Sequence, residues 1–220
     1  MALVTGGEGC TNILVSRGAS ADGSTQVSYN ADDTNLFGVL GHWPAADHAP
    51  GAMREIWDWD DGVYLGSIPE PPHTYNVVGN VNEFGKLVLA RHDCRHCAHV
   101  QRPHVAFRLL PPGVVIAETT FGGLKEVDGH GTGAIMDYGS LIWTTLQRAR
   151  TAREAISTMD GLVQEHGYAS DGESFAIADG EEVWLLEMVS KGQHRRGAVW
   201  VAIRVPDGLI GSTANQARYP

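Results

Sequence analysis

Residues 10–29 read C-T-N-I-L-V-S-R-G-A-S-A-D-G-S-T-Q-V-S-Y, and the reading of the whole chain starts from them. The run from Thr11 to Ser16 is short and apolar at its centre, which predicts a buried strand. Gly18 to Gly23 supplies turn residues, and Ser24 to Tyr29 predicts a second strand. A hairpin therefore begins almost at Cys10, just after a Gly-Gly-Glu-Gly run.

Further along, residues 36–75 read as loop-heavy, with a hairpin at Trp57–Gly62 where Asp-Gly is a strong turn signal. Asn76–Val81 and Val114–Phe121 read as strands. Ser140 to Arg150 predicts a helix, with Leu141, Ile142 and Leu146 on one face. Thr151 and Glu154 form a T-x-x-E capping box for a second helix, whose apolar face is Ala155, Ile156, Met159, Leu162 and Val163 and which Gly167 ends. Ser174 to Val189 predicts a hairpin around Asp179-Gly180, and Ala198 to Val205 one more strand. Strands, helices, then strands again make the class α+β with largely antiparallel pairing.

Composition narrows the function. The chain has 220 residues with 43% hydrophobic and 19% charged side chains, enough for a core without disulfides or metal. A net charge of −10 repels a phosphate backbone, so nucleic-acid binding is disfavoured. No apolar run approaches the roughly 18 residues of a membrane span, and no membrane partner is expected. Residues 1–9 lack a basic segment and an apolar run, so a secretory signal is not visible and a cytoplasmic location is expected. Three Cys do not describe a disulfide framework. One stretch departs from the rest. Residues 86–115 hold five of the sixteen Lys and Arg, four of the ten His and two of the three Cys, and read as an atypical insert.

Cys10 is the first chemical candidate. If residues 1–9 were removed, its free α-amine, with a pKa near 7.7–8.0, could take the thiol proton at neutral pH. On spacing alone, Cys10 reads first as a small packed side chain. The H-D-C-R-H-C-A-H run at 92–99 could bind zinc or exchange disulfides, but all its ligands are local and it lacks a strand–helix context, so a surface loop is the simpler reading. Gly129–Gly133 lacks the buried strand and Lys-Ser/Thr ending of a phosphate loop. Asp58, Asp60 and Asp61 lack EF-hand spacing and read as a solvated turn.

Longer blocks carry more information. Cys10 to Thr25 resembles the mature start of the dipeptidase A family of cysteine N-terminal-nucleophile hydrolases, kin to penicillin V acylases, choloylglycine hydrolases and secernins. Blocks at 71–83, 116–123, 137–156, 167–179, 197–208 and 214–218 resemble the family in the same order. The resemblance implies an αββα sandwich, a leader of residues 1–9 removed by self-processing, and hydrolysis of dipeptides through a thioester on Cys10. It implies Asp32, in Y-N-A-D, near the nucleophile's amine. Asn215, in A-N-Q-A, is implied near the oxyanion or amine, and Thr120, in E-T-T-F, at the oxyanion position.

The resemblance implies no metal or organic cofactor, dipeptides as substrate partners, and is compatible with a homo-oligomer. Tyr29 stands where many relatives carry Arg. Relatives run about twice as long, so residues 10–220 are expected to form the N-terminal part of a single domain, incomplete at the C-terminus. Two alternatives remain: a catalytically silent homologue acting as an interaction module, and a hydrolase of other acylated amino acids.

Overall fold

The computed structural model describes residues 9–32, 38–60, 62–82, 103–107, 113–193 and 195–219; within these, the side chains of 32, 38, 39, 80–82 and 103–107 are not described. Two antiparallel sheets dominate. The smaller has the order β14-β1-β2, from Ile210–Thr213, Gly9–Val15 and Gln26–Asp32. The first hairpin is as the sequence predicts, with Cys10 opposite Ala31 and Gly9 opposite Asp32. The third strand, β14, pairs with β1 from Asn12↔Thr213 to Val15↔Ile210.

The larger sheet has seven strands in the order β13-β12-β11-β10-β9-β8-β3. These are Ala198–Arg204, Val183–Ser190, Glu173–Ala178, Val115–Thr120, Pro103–Phe107, Val77–Asn82 and Gly38–Trp43. Two strands differ from the sequence expectation. Gly38–Trp43 is a sheet strand inside the loop-heavy region, and Pro103–Phe107 lies within the compositional insert yet pairs with both β8 and β10. Residues 86–102 and 108–112 of the insert, including the Cys94 and Cys97 run, lie outside the described residues, and Val115 already belongs to β10.

Between strands β10 and β11 run helices α1, Tyr138–Leu146, and α2, Ala152–His166. Asp137 caps α1, which starts two residues before the predicted Ser140 and ends four residues before the predicted Arg150; Arg148, beyond its end, donates to Pro69 O. Helix α2 begins as read, with Thr151 Oγ1 accepting from Glu154 N at 3.1 Å, and Gly167 closes it at φ 81°. Two short ribbons complete the described residues: β4, Ala46–Asp47, with β7, His73–Thr74, and β5, Met53–Trp57, with β6, Tyr64–Pro69.

Side-chain alternation explains the layering. Ile116, Phe175, Ile177, Leu186 and Met188 pack with Leu141, Ile142, Met159 and Val163 of the helices. Ala117, Ala176, Ala178, Val183 and Leu185, on the alternate positions, pack with Leu14, Val27 and Tyr29 of the small sheet. The layers thus run helices, large sheet, small sheet. Small Ala side chains on one face let the two sheets approach closely, while larger ones fill the face beneath the helices. Within β1, Leu14 is 1% exposed and Ile13 is 45% exposed. Leu14→Ala should therefore cost about 2–5 kcal/mol in denaturant unfolding, and Ile13→Ala less than about 1 kcal/mol.

Candidate active site

Cys10 sits near the start of β1, the central strand of the small sheet, as a half-buried thiol outside any disulfide. Just past the end of β14, Asn215 adopts a left-handed backbone with φ 48°, which Asn tolerates better than most residues. That turn sends its carboxamide back over the sheet. Asn215 Oδ1 accepts from Cys10 N at 2.5 Å, and Nδ2 donates to Thr120 O at 2.6 Å. The last residue of β10 and the start of β1 are thereby bound to one side chain.

A second path leaves Cys10 through its sulfur. Tyr29 Oη, from β2, lies 3.6 Å from Cys10 Sγ and donates to Glu118 Oε1 at 2.9 Å. Glu118 and Glu173 are both buried, on neighbouring strands β10 and β11. Thr120 Oγ1 donates to Glu173 Oε2 at 3.0 Å. Hydrogen bonds and strand neighbours therefore form a ring that starts at Cys10 N, passes Asn215, Thr120, Glu173, Glu118 and Tyr29, and returns to Cys10 Sγ.

Two ionised carboxylates cannot share this buried space without large cost. Burial first, and the Glu118 charge second, hold the Glu173 carboxyl well above the usual carboxylate range. The Glu173 carboxyl is thereby held towards its neutral acid form. Burial, followed by the same Glu118 charge, pushes the Tyr29 phenol far above its ordinary value, so its O–H is retained.

The positions singled out in the sequence fare differently. Cys10, Asn215 and Thr120 come together. Thr120 meets Asn215 through its backbone carbonyl, while its hydroxyl is turned to Glu173. The backbone of Asp32 pairs with Gly9, but its side chain lies outside the described residues. Tyr29, Glu118 and Glu173 were not read as site residues. The available signal was a carboxylate at each of two strand positions next to apolar runs, in V-I-A-E-T-T and E-S-F-A-I-A. In the Gly129–Gly133 loop, His130 is set against two acids. His130 Nδ1 bonds Asp128 Oδ1 at 2.7 Å, and ligand atoms of Asp128, His130 and Asp171 lie within 4.8 Å of one another. Asp58 Oδ1 accepts from Asp60 N and Asp60 Oδ1 from Tyr138 Oη in the turn between β5 and β6, while Asp61 lies outside the described residues.

The carboxyl pair has a measurable signature. Because the folded chain raises the Glu173 pKa, the stability contributed by its neutral form is full below about 4.5 and declines as pH rises towards the folded value. Glu173→Gln removes that titration. In urea titrations from pH 5 upward, the stability of the wild type should fall relative to the Gln variant by up to about 1.4 kcal/mol per pH unit.

Comparison with known proteins shows the family of the chain. The chain is 26% identical over 216 residues to a probable dipeptidase A of Streptococcus pyogenes serotype M3 (strain SSI-1), covering 94% of this chain and 40% of that protein. It is 27% identical over 204 residues to a probable dipeptidase B of Lactococcus lactis subsp. lactis (strain IL1403), covering 90% and 37%. A dipeptidase of Bifidobacterium longum (strain NCC 2705) is 28% identical over 222 residues, covering 94% and 37%. The chain thus spans about two fifths of the length of these curated relatives. The sequence profile of peptidase family C69 matches residues 9–219, from the neighbour of Cys10 to beyond Asn215, and the chain belongs to that family.

Proposed function

We propose that the chain carries the nucleophile-bearing part of a cysteine dipeptidase of N-terminal-nucleophile type. One observation carries the reading: Asn215 Oδ1 accepts from the Cys10 backbone nitrogen at 2.5 Å, in the position where a freed α-amine would need a fixed acceptor. Membership in a peptidase family and similarity to proteins named dipeptidases supply the substrate class. The order of layers fits three of the four layers of an αββα sandwich.

In this reading, cleavage between Gly9 and Cys10 converts that nitrogen into an amine, and removal of residues 1–9 is the first reaction the site performs. The amine then accepts the thiol proton, and Sγ attacks the carbonyl of a bound dipeptide. Backbone N–H groups stabilise the oxyanion. The ammonium passes its proton to the departing amine, leaving a thioester on Cys10. Water activated by the same amine hydrolyses that thioester and restores the thiol. Asn215 orients the amine through Oδ1, and Thr120 O fixes which end of the carboxamide faces it. Asp32, whose backbone pairs across from Gly9, is assigned to the neighbourhood of the cleaved bond.

Intact mass and dipeptide hydrolysis test this together. The mature chain should begin at Cys10, and Cys10→Ala should retain residues 1–9 and lower hydrolysis by at least about 10³-fold. A chain that keeps its leader and hydrolyses no dipeptide favours the silent homologue. Hydrolysis of acylated amino acids with dipeptides untouched favours the other amide substrates. Activity should also survive EDTA, because every step uses a thiol, an amine and water. Loss with EDTA and recovery with Zn²⁺ would point to a metallopeptidase.

A further inference from the structure

In the loop between β10 and α1, a histidine lies among carboxylates. His130 Nδ1 bonds Asp128 Oδ1 at 2.7 Å, and the same oxygen accepts from His130 N at 2.8 Å. Asp171, just before β11, brings a third ligand atom within 4.8 Å of the other two. The backbone around them is already set. Gly129 N donates to Ser170 O at 3.3 Å, and Gly129 lies so close to Tyr168 O and Ser170 N that a Cβ would collide with them. Thr132 Oγ1 donates to Gly129 O at 2.7 Å and accepts from Ala134 N, which closes the loop on itself. On the other side, Phe121 N donates to Gly172 O and Gly172 N to Gly122 O, so the β10–β11 pairing runs up to Asp171. Two chain segments thus meet with their ligand atoms together, and binding an ion there orders little that is not ordered already. Charge favours the same outcome. Burial works against a charged His130, yet the bond to Asp128 and the charges of Asp128, Asp171 and Asp58 raise its pKa. The field at this place therefore suits a cation.

We propose that Asp128, His130 and Asp171 bind one divalent first-row transition ion, which clasps the β10–α1 loop to the start of β11. One imidazole nitrogen with two carboxylates is a donor set that Ca²⁺, which takes about six to eight oxygens, does not match. Mn²⁺ and Zn²⁺ accept both donor types. Bonds of about 2.0–2.2 Å place ligand atoms about 3–4 Å apart, a spacing that small rotations of the three side chains reach. The ion takes the place of the hydrogen between His130 Nδ1 and Asp128 Oδ1, and that proton goes to solvent. His130 is exposed and both Asp residues are half-buried, so water fills the remaining positions. Asp171 lies two residues before Glu173, whose carboxyl accepts from Thr120 Oγ1. The ion therefore stiffens the strand ends that frame the site and takes no part in the chemistry. Thiol, amine and water still carry every step of hydrolysis.

Binding of Mn²⁺ to the full chain tests the clasp apart from hydrolysis. Mn²⁺ is the probe because thiols such as Cys10, Cys94 and Cys97 prefer softer ions. Electron paramagnetic resonance counts the free ion, and one Mn²⁺ per chain should be bound, with a rise in melting temperature. His130→Asn and Asp171→Asn should each weaken binding by at least about tenfold and remove most of that rise. In the wild type, the amide signals that Mn²⁺ broadens first should be those of 128–133 and 170–172. No ion bound at about 1 mM Mn²⁺, binding unchanged in variants that melt cooperatively, or broadening centred elsewhere overturns the proposal. If a variant does not fold, the broadening in the wild type decides. Ca²⁺ that displaces Mn²⁺ at equal concentration also overturns it, since the imidazole would then play no part. EDTA should reverse the rise in melting temperature and leave dipeptide hydrolysis unchanged well below it. Binding is read without substrate, so a chain that hydrolyses no dipeptide yet binds Mn²⁺ here refutes the proposed function and supports the clasp.

Discussion

Asn215 bonds Cys10 N through its oxygen and Thr120 O through its nitrogen, and so ties the small sheet to the large one at the site itself. The rest of the arrangement follows from that bridge. Cys10 can be presented at a fixed height only because Leu14, farther along the same strand, packs between the sheets against Ala117 and Ala176. Thr120 can meet the carboxamide only because β10 runs past Ala117, the last residue of its register with β9, to end beneath the small sheet. The left-handed backbone at Asn215 joins these constraints. A β-branched residue there would strain the backbone and remove both bonds.

The same region holds a feature that stability alone would not select. Burying Glu118 and Glu173 side by side costs desolvation that apolar residues of similar volume would not. Their burial is accompanied by hydrogen bonds that Tyr29 and Thr120 donate to the pair, and burial itself raises the Glu173 pKa. Local rules broken at a buried position beside the Cys10 thiol are the pattern expected where chemistry rather than packing sets the residue.

Much of this was legible in the sequence, and the exceptions have physical causes. The first hairpin, the capping box at Thr151 and Glu154, and the hairpin at Asp179-Gly180 are set by neighbours within a few residues, so local pattern suffices. Strand β3 was not legible because G-V-L-G-H-W carries two glycines and leaves Leu40 77% exposed, with no alternation to detect. Strand β14 has four residues and exposes Ile210; it is a strand because the edge of β1, some 200 positions earlier, supplies its hydrogen-bond partner. Cys10, Asn215 and Thr120 came from blocks resembling a family. The ring through Tyr29, Glu118 and Glu173 depends on three strands meeting in space, and a linear reading carries no term for that.

The central claim is that Cys10 Sγ is the atom that attacks the peptide bond. Acid quenching during dipeptide turnover, followed by peptide mapping, examines that atom directly. The account predicts a hydroxylamine-sensitive adduct on the peptide beginning at Cys10, with the mass of the acyl group from the dipeptide's first residue. Steady hydrolysis with no adduct on Cys10, or with the adduct carried by Cys94 or Cys97, would contradict it.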